Sequence, residues 1–440
     1  MSKKLARKSL TACALILASQ TASAGQPSTA GVPEFETRAF YGDKILDRVV
    51  AIDVAKMQLI GTVDTLGETP YPVDQAGNLD KVYAITRGSA SIDVITADSL
   101  ENLGVINLDH KPRSGESYNA RLGVTLIAGA DKPFTSVIDV INDKVVAVAG
   151  TDIDLSQMQT YDNNGGTISS GHPAWLSKNR FTVIDRAHRL INLYGIEKVR
   201  GNNLNYSWEV TLLDQVSTPT SVHHIIHRDL DRLSVEEKHN FYALAEGSAS
   251  EGIHPSIVQL YLSDDDKLTF VDEVSMDRFD PSTMSSHHAD CHPDGIHIYV
   301  GSTEGHLFVI NRLTMSIEHV IKTGKGTGHT RFVPERDLAI VTNHHDTFLT
   351  VVDTKKHKKI KDVTVSEPKT QGQILQSHTN FVGPKAEYYY AFASDNGKFF
   401  EFDLTNLMVS RTLETGGAPV QGSFINWDKY SVGGGESDGM

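Results

Sequence analysis

The chain has 440 residues, 39% of them hydrophobic, and a formal net charge of −14 at pH 7. That length and composition bury a full core, which excludes a disordered or low-complexity protein. The acidic balance argues against nucleic acid or an anionic membrane as partner and suits attraction of cations.

The first element reads as a secretory signal over residues 1–24. Lys3, Lys4, Arg7 and Lys8 precede an apolar stretch, and Ala22-Ser23-Ala24 forms an A-x-A site with a cut expected after Ala24. "LTAC" at 10–13 resembles a lipoprotein box, but it follows Lys8 with no apolar region ahead of it, so lipidation is discounted. No other apolar run approaches the roughly twenty residues of a spanning helix. The mature protein is therefore expected to be soluble, in the periplasm or secreted, with a flexible start over 25–34. Cys13 leaves with the signal, and Cys291 alone excludes an intramolecular disulfide, a c-type haem attachment and a Cys-rich zinc motif.

From residue 35 onward, short β-branched runs recur. They are "RVVAIDV" (48–54), "SIDVITA" (91–97), "TSVIDV" (135–140), "LINLYGI" (190–196), "IVQLYLS" (257–263), "LFVINR" (307–312), "LTVVDT" (349–354) and "FFEFDL" (399–404). Each unit holds four short strands between Gly, Asp and Asn turns. The spacing predicts an all-β fold, a single propeller of seven to eight blades over 35–427, with a flexible tail over 428–440. The seventh unit shows the order plainly: "TRFV", then "LAIVTN", a tip "HHD", then "TFLTVVD" and "IKDVTV". The lone strand "APVQGSFINW" (418–427) is expected to complete the first blade, which removes an exposed edge. "TFLTVVDTKKHKKIKDV" and "VVAIDVAKMQLIGTVDT" resemble the YVTN-type repeat of exported bacterial propellers, a likeness that implies a fold and no particular function.

In an antiparallel meander, the start of strand one and the tip between strands two and three lie at one end of the blade. The starts read "SGHPAW" (His172), "SVHHII" (His223, His224), "SSHHAD" (His287, His288), "TGHTRF" (His329) and "QSHTNF" (His378). Five consecutive units thus place a histidine where the innermost strand begins beside the channel. The tips add His188, His254, His344 and His345, with Glu246 and Glu304 nearby as candidate acid–base groups. The first three units carry Gln421, Tyr71 and Tyr118 instead. His110, His239, His319 and His357 read as surface or turn residues, and His227, His292, His297 and His306 as structural.

A scatter of nineteen histidines rarely reaches one register in five repeats, so a shared metal centre is expected. A competing reading makes each one a hydrogen-bonding residue for its blade, which leaves the doublets unexplained. Neutral imidazoles suit copper and zinc, whereas calcium needs carboxylates that are few there. Two to four histidines hold one zinc; a larger histidine-only set favours several copper ions, with zinc the alternative.

One histidine per blade at the channel mouth, with His-His doublets, resembles the copper centres of nitrous-oxide reductase and thiocyanate dehydrogenase. That resemblance implies His172, His224, His288, His329 and His378 as ligands. It makes His223, His287, His344 and His345 further ligands or their supports, and implies a copper-dependent oxidoreductase acting on a small molecule. No cupredoxin domain with paired cysteines follows, so the electron acceptor would be a separate exported protein. The alternatives are a zinc or copper chaperone, similar to periplasmic zinc-carrying propellers and served by a metal-transport protein, and a scaffold propeller. A haem-binding propeller similar to d-type nitrite reductases ranks lower, and no Gly-x-Ser-x-Gly elbow or phosphate loop is present.

Overall fold

The computed structural model describes residues 35–426, apart from 78, 156–168, 201–205, 227–238 and 282–283. The expected signal peptide, mature amino terminus and tail, together with His227, lie outside the described residues.

Thirty-two strands form eight four-stranded antiparallel sheets arranged as the blades of a propeller. The recurring runs are the third strands. Arg48–Asp53, Ser91–Thr96 and Leu349's strand Phe348–Asp353 are buried along almost their whole length, because both faces of a blade pack on neighbours. The fourth strands alternate exposed and half-buried positions, as in Met408–Glu414, and form the outer rim. The Asp that ends many third strands caps the turn that follows. Asp53, Asp353 and Asp403 each accept the backbone N–H three residues on, at 2.9–3.0 Å. The repeat marker is therefore a turn-forming carboxylate.

Cores sit between blades rather than within them. Tyr299, Leu307 and Val309 of blade six pack on Ala339, Val341 and Val352 of blade seven. At the seam, Ala39, Tyr41 and Ile52 of blade one meet Tyr390, Phe392 and Phe399 of blade eight, with the Tyr41 and Phe392 rings 4.7 Å apart.

The ring closes as the lone strand predicted. Pro419–Asn426 pairs antiparallel with Thr37–Asp43, from Thr37 opposite Asn426 to Asp43 opposite Pro419, and becomes the innermost strand of blade one. Asp43, fully buried, fastens this joint: it accepts the Ala418 N–H at 2.9 Å and Arg48 Nε at 3.1 Å. Gly417 passes so close, at φ +67°, that a Cβ there would stand 1.8 Å from Asp43 Oδ2.

No helix among the described residues is long and apolar enough to cross a membrane.

Asp43→Ala removes the carboxylate that joins the two ends of the fold, leaves the Ala418 N–H unpaired and leaves Arg48 only the Thr415 carbonyl as acceptor. It is expected to lower unfolding free energy by about 3 kcal/mol, measured by denaturant titration against wild type.

Candidate metal centre

The starts of the innermost strands surround a cavity of about 400 Å³ at one end of the channel. All nine histidines expected there line it: His172, His223, His224, His287, His288, His329, His344, His345 and His378. They divide into two adjacent groups.

In the first group, one ring nitrogen from each of His288, His344 and His378 lies within 4.8 Å of the other two. His329 joins them, its ring centre 3.9 Å from that of His288, and the His344 and His378 rings stack at 4.3 Å. His344 stands at the tip after the second strand of blade seven, Leu338–Asn343. Its Nδ1–H donates to the Gln376 carbonyl at 2.9 Å, which turns Nε2 inward over Gly328. A Cβ on Gly328 would approach that Nε2 to 2.2 Å, so the position admits only glycine. His344 Nε2, His329 Nε2 and His288 Nδ1 are all buried with no hydrogen-bond partner among the described residues. Burial first, then the neighbouring imidazoles, holds His288 and His378 well below the usual histidine range. Burial takes His344 down to about 3 against the opposing pull of the Gln376 carbonyl. At neutral pH these rings are uncharged, each with a lone pair to give.

The second group is His223, Glu246 and His287, whose ligand atoms also lie within 4.8 Å of one another. Glu246 is fully buried; both its oxygens lie 2.8 Å from Arg186 Nη2, and His287 Nδ1 is 3.4 Å from Oε1. Burial raises the Glu246 carboxyl and lowers the Arg186 guanidinium to about 9, which still leaves the arginine charged at neutral pH. His223 is tied into a chain. Arg113 Nη2 donates to His223 Nε2 at 2.9 Å, His223 Nδ1 faces His224 Nδ1 at 3.1 Å, and His224 Nε2 reaches the Ala289 carbonyl at 3.3 Å. The arginine proton fixes the tautomers down this chain, so the lone pair of His223 Nε2 is already used. His172 stands alongside, its ring 4.8 Å from that of His223. The first group presents nitrogens with no partner among the described residues, whereas the second must first release Arg113.

Sequence register alone did not resolve the doublets. The strand bulges between Val222 and His224, and both ring nitrogens of His224 are hydrogen-bonded, so His223 takes the place beside Glu246. His345 lines the cavity but stays exposed, beside Gly326. His188 and His254 stay apart, bonded to Asp185 at 2.6 Å and to the Phe279 carbonyl at 2.7 Å. Glu304 bonds Thr303 Oγ1 at 3.3 Å and lies outside both groups. Tyr71 and Gln421 line the cavity, and the Tyr71 hydroxyl is 3.3 Å from His378 Nδ1. Tyr118 does not line it. The first strand of blade three begins at Pro112, so Arg113 holds that register and Tyr118 lies toward the other end, packed with Leu79. His110 and His306 lie elsewhere: His110 bonds Ser136 Oγ at 2.9 Å, and His306 stacks on Phe279 at 4.0 Å with its Nδ1 buried and without a hydrogen-bond partner among the described residues.

Register also finds residues that the histidine pattern missed, Lys44, Arg87 and Arg186, at the position that Glu246 and His344 hold in their blades. The residue directly after each second strand is Lys44, Arg87, Arg186, Glu246 and His344 in blades one, two, four, five and seven. Arg87 lies 3.9 Å over the Tyr71 ring.

No protein-family model matches the chain, and no curated protein sequence matches it. Solved structures do resemble it in fold. Dihydro-heme d1 dehydrogenase NirN in complex with DHE has a TM-score of 0.63 at 10% identity, covering 92% of this chain and 78% of that one. Apo AztD from Citrobacter koseri has a TM-score of 0.58 at 12% identity, covering 91% and 99%. BamB from Moraxella catarrhalis has a TM-score of 0.53 at 13% identity, covering 79% and 89%. The chain is an eight-bladed β-propeller, and its channel holds histidine groups with the geometry to bind a metal.

Two outcomes follow from the buried rings. A histidine whose pKa is lower folded than unfolded takes up protons on unfolding, so its stabilising contribution is lost as pH falls below about 6.5 toward the folded value. The metal-free protein is expected to lose stability across that window, by about 1.4 kcal/mol per pH unit for each such histidine, read from melting curves between pH 7 and 4. Gly328→Ala is expected to displace His344 and weaken metal binding at least about tenfold, read by competition with a chromophoric chelator.

Proposed function

We propose that this protein is an exported, histidine-ligated propeller whose channel centre holds copper and oxidises or reduces a small molecule. The observation that carries the reading is the set of unpartnered buried nitrogens on His288, His329 and His344 beside His378. Burying a lone pair without a partner costs about 1–3 kcal/mol each, and folded proteins keep such atoms for a purpose. His288, His344 and His378 would hold the ion, with His329 as a fourth donor. Uncharged imidazole donors place copper ahead of other divalent ions. Bound copper would supply one-electron exchange with the substrate.

The cavity, at about 400 Å³, is far larger than an ion needs, which leaves room for a small molecule beside it. Arg87 and Arg113 on its wall favour a substrate carrying negative charge. Glu246, held by Arg186 and facing His287, is the acid–base candidate nearest the histidines; Glu304 is the more distant one. The amino-terminal segment and the YVTN-like repeats support export to the periplasm, and electrons would pass to a separate periplasmic protein.

A second reading, a zinc-binding or zinc-delivery propeller without turnover, draws on the His223–Glu246–His287 group, because two imidazoles and a carboxylate form a donor set that zinc accepts.

Metal analysis of protein purified from its native compartment, with visible and EPR spectra, tests the choice. At least one copper per chain with a copper EPR signal is expected. Stoichiometric zinc with a silent spectrum would replace the oxidoreductase with the carrier, and a metal-free protein that takes up neither ion would return the histidines to structure.

A further inference from the structure

The opposite end of the propeller carries a second histidine cluster, between blades six and seven. The turn between the first and second strands of blade six brings His292, Asp294 and His297. The fourth strand of that blade, Ser316–Lys322, adds Glu318 and His319, and the turn between the third and fourth strands of blade seven adds His357. The meander places both kinds of turn at the end away from the cavity. Sequence reading gave these histidines separate surface or structural roles because nothing in one repeat shows that two neighbouring blades share them.

We propose that this cluster is a second metal site for a divalent late-transition ion such as zinc, with His292, Asp294 and His297 as core ligands and His357 as the fourth. Ligand atoms of His292, Asp294 and His297 lie within 4.8 Å of one another. The ring centres are 5.9 Å apart for His292 and His297, 5.8 Å for His292 and His357, and 4.5 Å for His297 and His357. Imidazoles sharing one tetrahedral zinc at bonds of roughly 2 Å have ring centres about 5 Å apart, so a small closure of the three rings onto one point is sufficient. Outer supports are in place. The Tyr299 hydroxyl is 2.7 Å from His357 Nδ1 and fixes that ring, and Glu318 Oε2 is 2.9 Å from His297 Nε2. Such carboxylate and hydroxyl contacts orient metal-bound imidazoles and raise their basicity.

The competing account is an ion-pair network with His297 protonated between Asp294, at 2.6 Å, and Glu318. Burial alone would lower His297, yet the bonds to those two carboxylates raise it. That account satisfies His297 and leaves His292 and His357 unexplained. Burial and then the neighbouring histidines lower His357 to about 4, and burial lowers His292, so two uncharged imidazoles stand around one carboxylate. A divalent ion uses all of these groups together. The His292 and His297 side chains are 12% and 13% exposed and Asp294 is 32% exposed, so an ion enters from solvent without opening the fold.

This site is independent of the reading given to the cavity, and the test separates them. Metal-free protein is titrated with zinc against a chromophoric chelator, for wild type, for Asp294→Asn combined with His297→Gln, and for His288→Gln. The double variant is expected to bind one zinc fewer than wild type, while His288→Gln keeps that equivalent even if cavity binding is lost. Equal zinc stoichiometry in the double variant and wild type, with matching circular-dichroism melts, would overturn the proposal. Should the double variant not fold, diethylpyrocarbonate labelling of the wild type mapped by mass spectrometry decides: saturating zinc protects His292, His297 and His357 at least about fivefold if they bind it, and unchanged labelling of all three overturns the site.

Discussion

Each blade buries both of its faces against neighbours, so the fold depends on the one joint where chain continuity cannot supply a neighbour. That joint is the pairing of Pro419–Asn426 with Thr37–Asp43, fastened by Asp43 and packed by Tyr41, Phe392 and Phe399. Once it forms, all eight inner strands are held at fixed positions around the channel. Their first residues then face a shared space without any loop having to order itself. A site assembled on strand ends in this way is pre-organised, because the cost of placing its side chains is met during folding.

That rigidity bears on the charges in the cavity. Imidazoles packed at ring separations of 3.9–6.4 Å cannot all hold protons, and burial removes the water that would screen them. The fold therefore presents uncharged His288, His344 and His378 rings, and beside Arg87 the cavity wall carries fixed positive charge on Arg113 and Arg186. These two arginines act differently on the two histidine groups. Arg113 occupies the lone pair of His223, and Arg186 neutralises Glu246, so the second group is satisfied internally. No arginine reaches the open nitrogens of His288, His329 and His344. Readiness for a metal is thus set by where the arginines reach as well as by where the histidines fall.

The sequence made the repeat legible because the turn-capping aspartates and the apolar third strands recur for a local physical reason that any single unit displays. Closure was legible because a lone strand at one end and an incomplete unit at the other have one economical solution. The histidine register was legible for the same topological reason. Three features were not. A bulge after Val222 exchanged the roles of His223 and His224, and bulges leave no mark in an alternating pattern. The start of the first strand in blade three lay earlier than the pattern placed it, which put Arg113 rather than Tyr118 at the cavity. The cluster of His292, His297 and His357 depends on contacts between blades, and a repeat read one unit at a time does not contain them.

The two ends of the propeller would treat a free cation in opposite ways. Lys44, Arg87 and Arg113 surround the cavity end, and a hydrated divalent ion approaching from solvent meets repulsion there before it meets a lone pair. Such a field would slow entry and exit of a cation, which would suit a resident centre and a negatively charged substrate better than a site that loads and unloads ions quickly. At the far end Asp294 and Glu318 present carboxylates to solvent beside the imidazoles, and the overall acidic charge adds attraction. A site there would exchange its ion faster. A carrier built on this fold would place its cargo at the acidic end, so the arginines around the larger cavity weigh toward chemistry in it rather than transport through it.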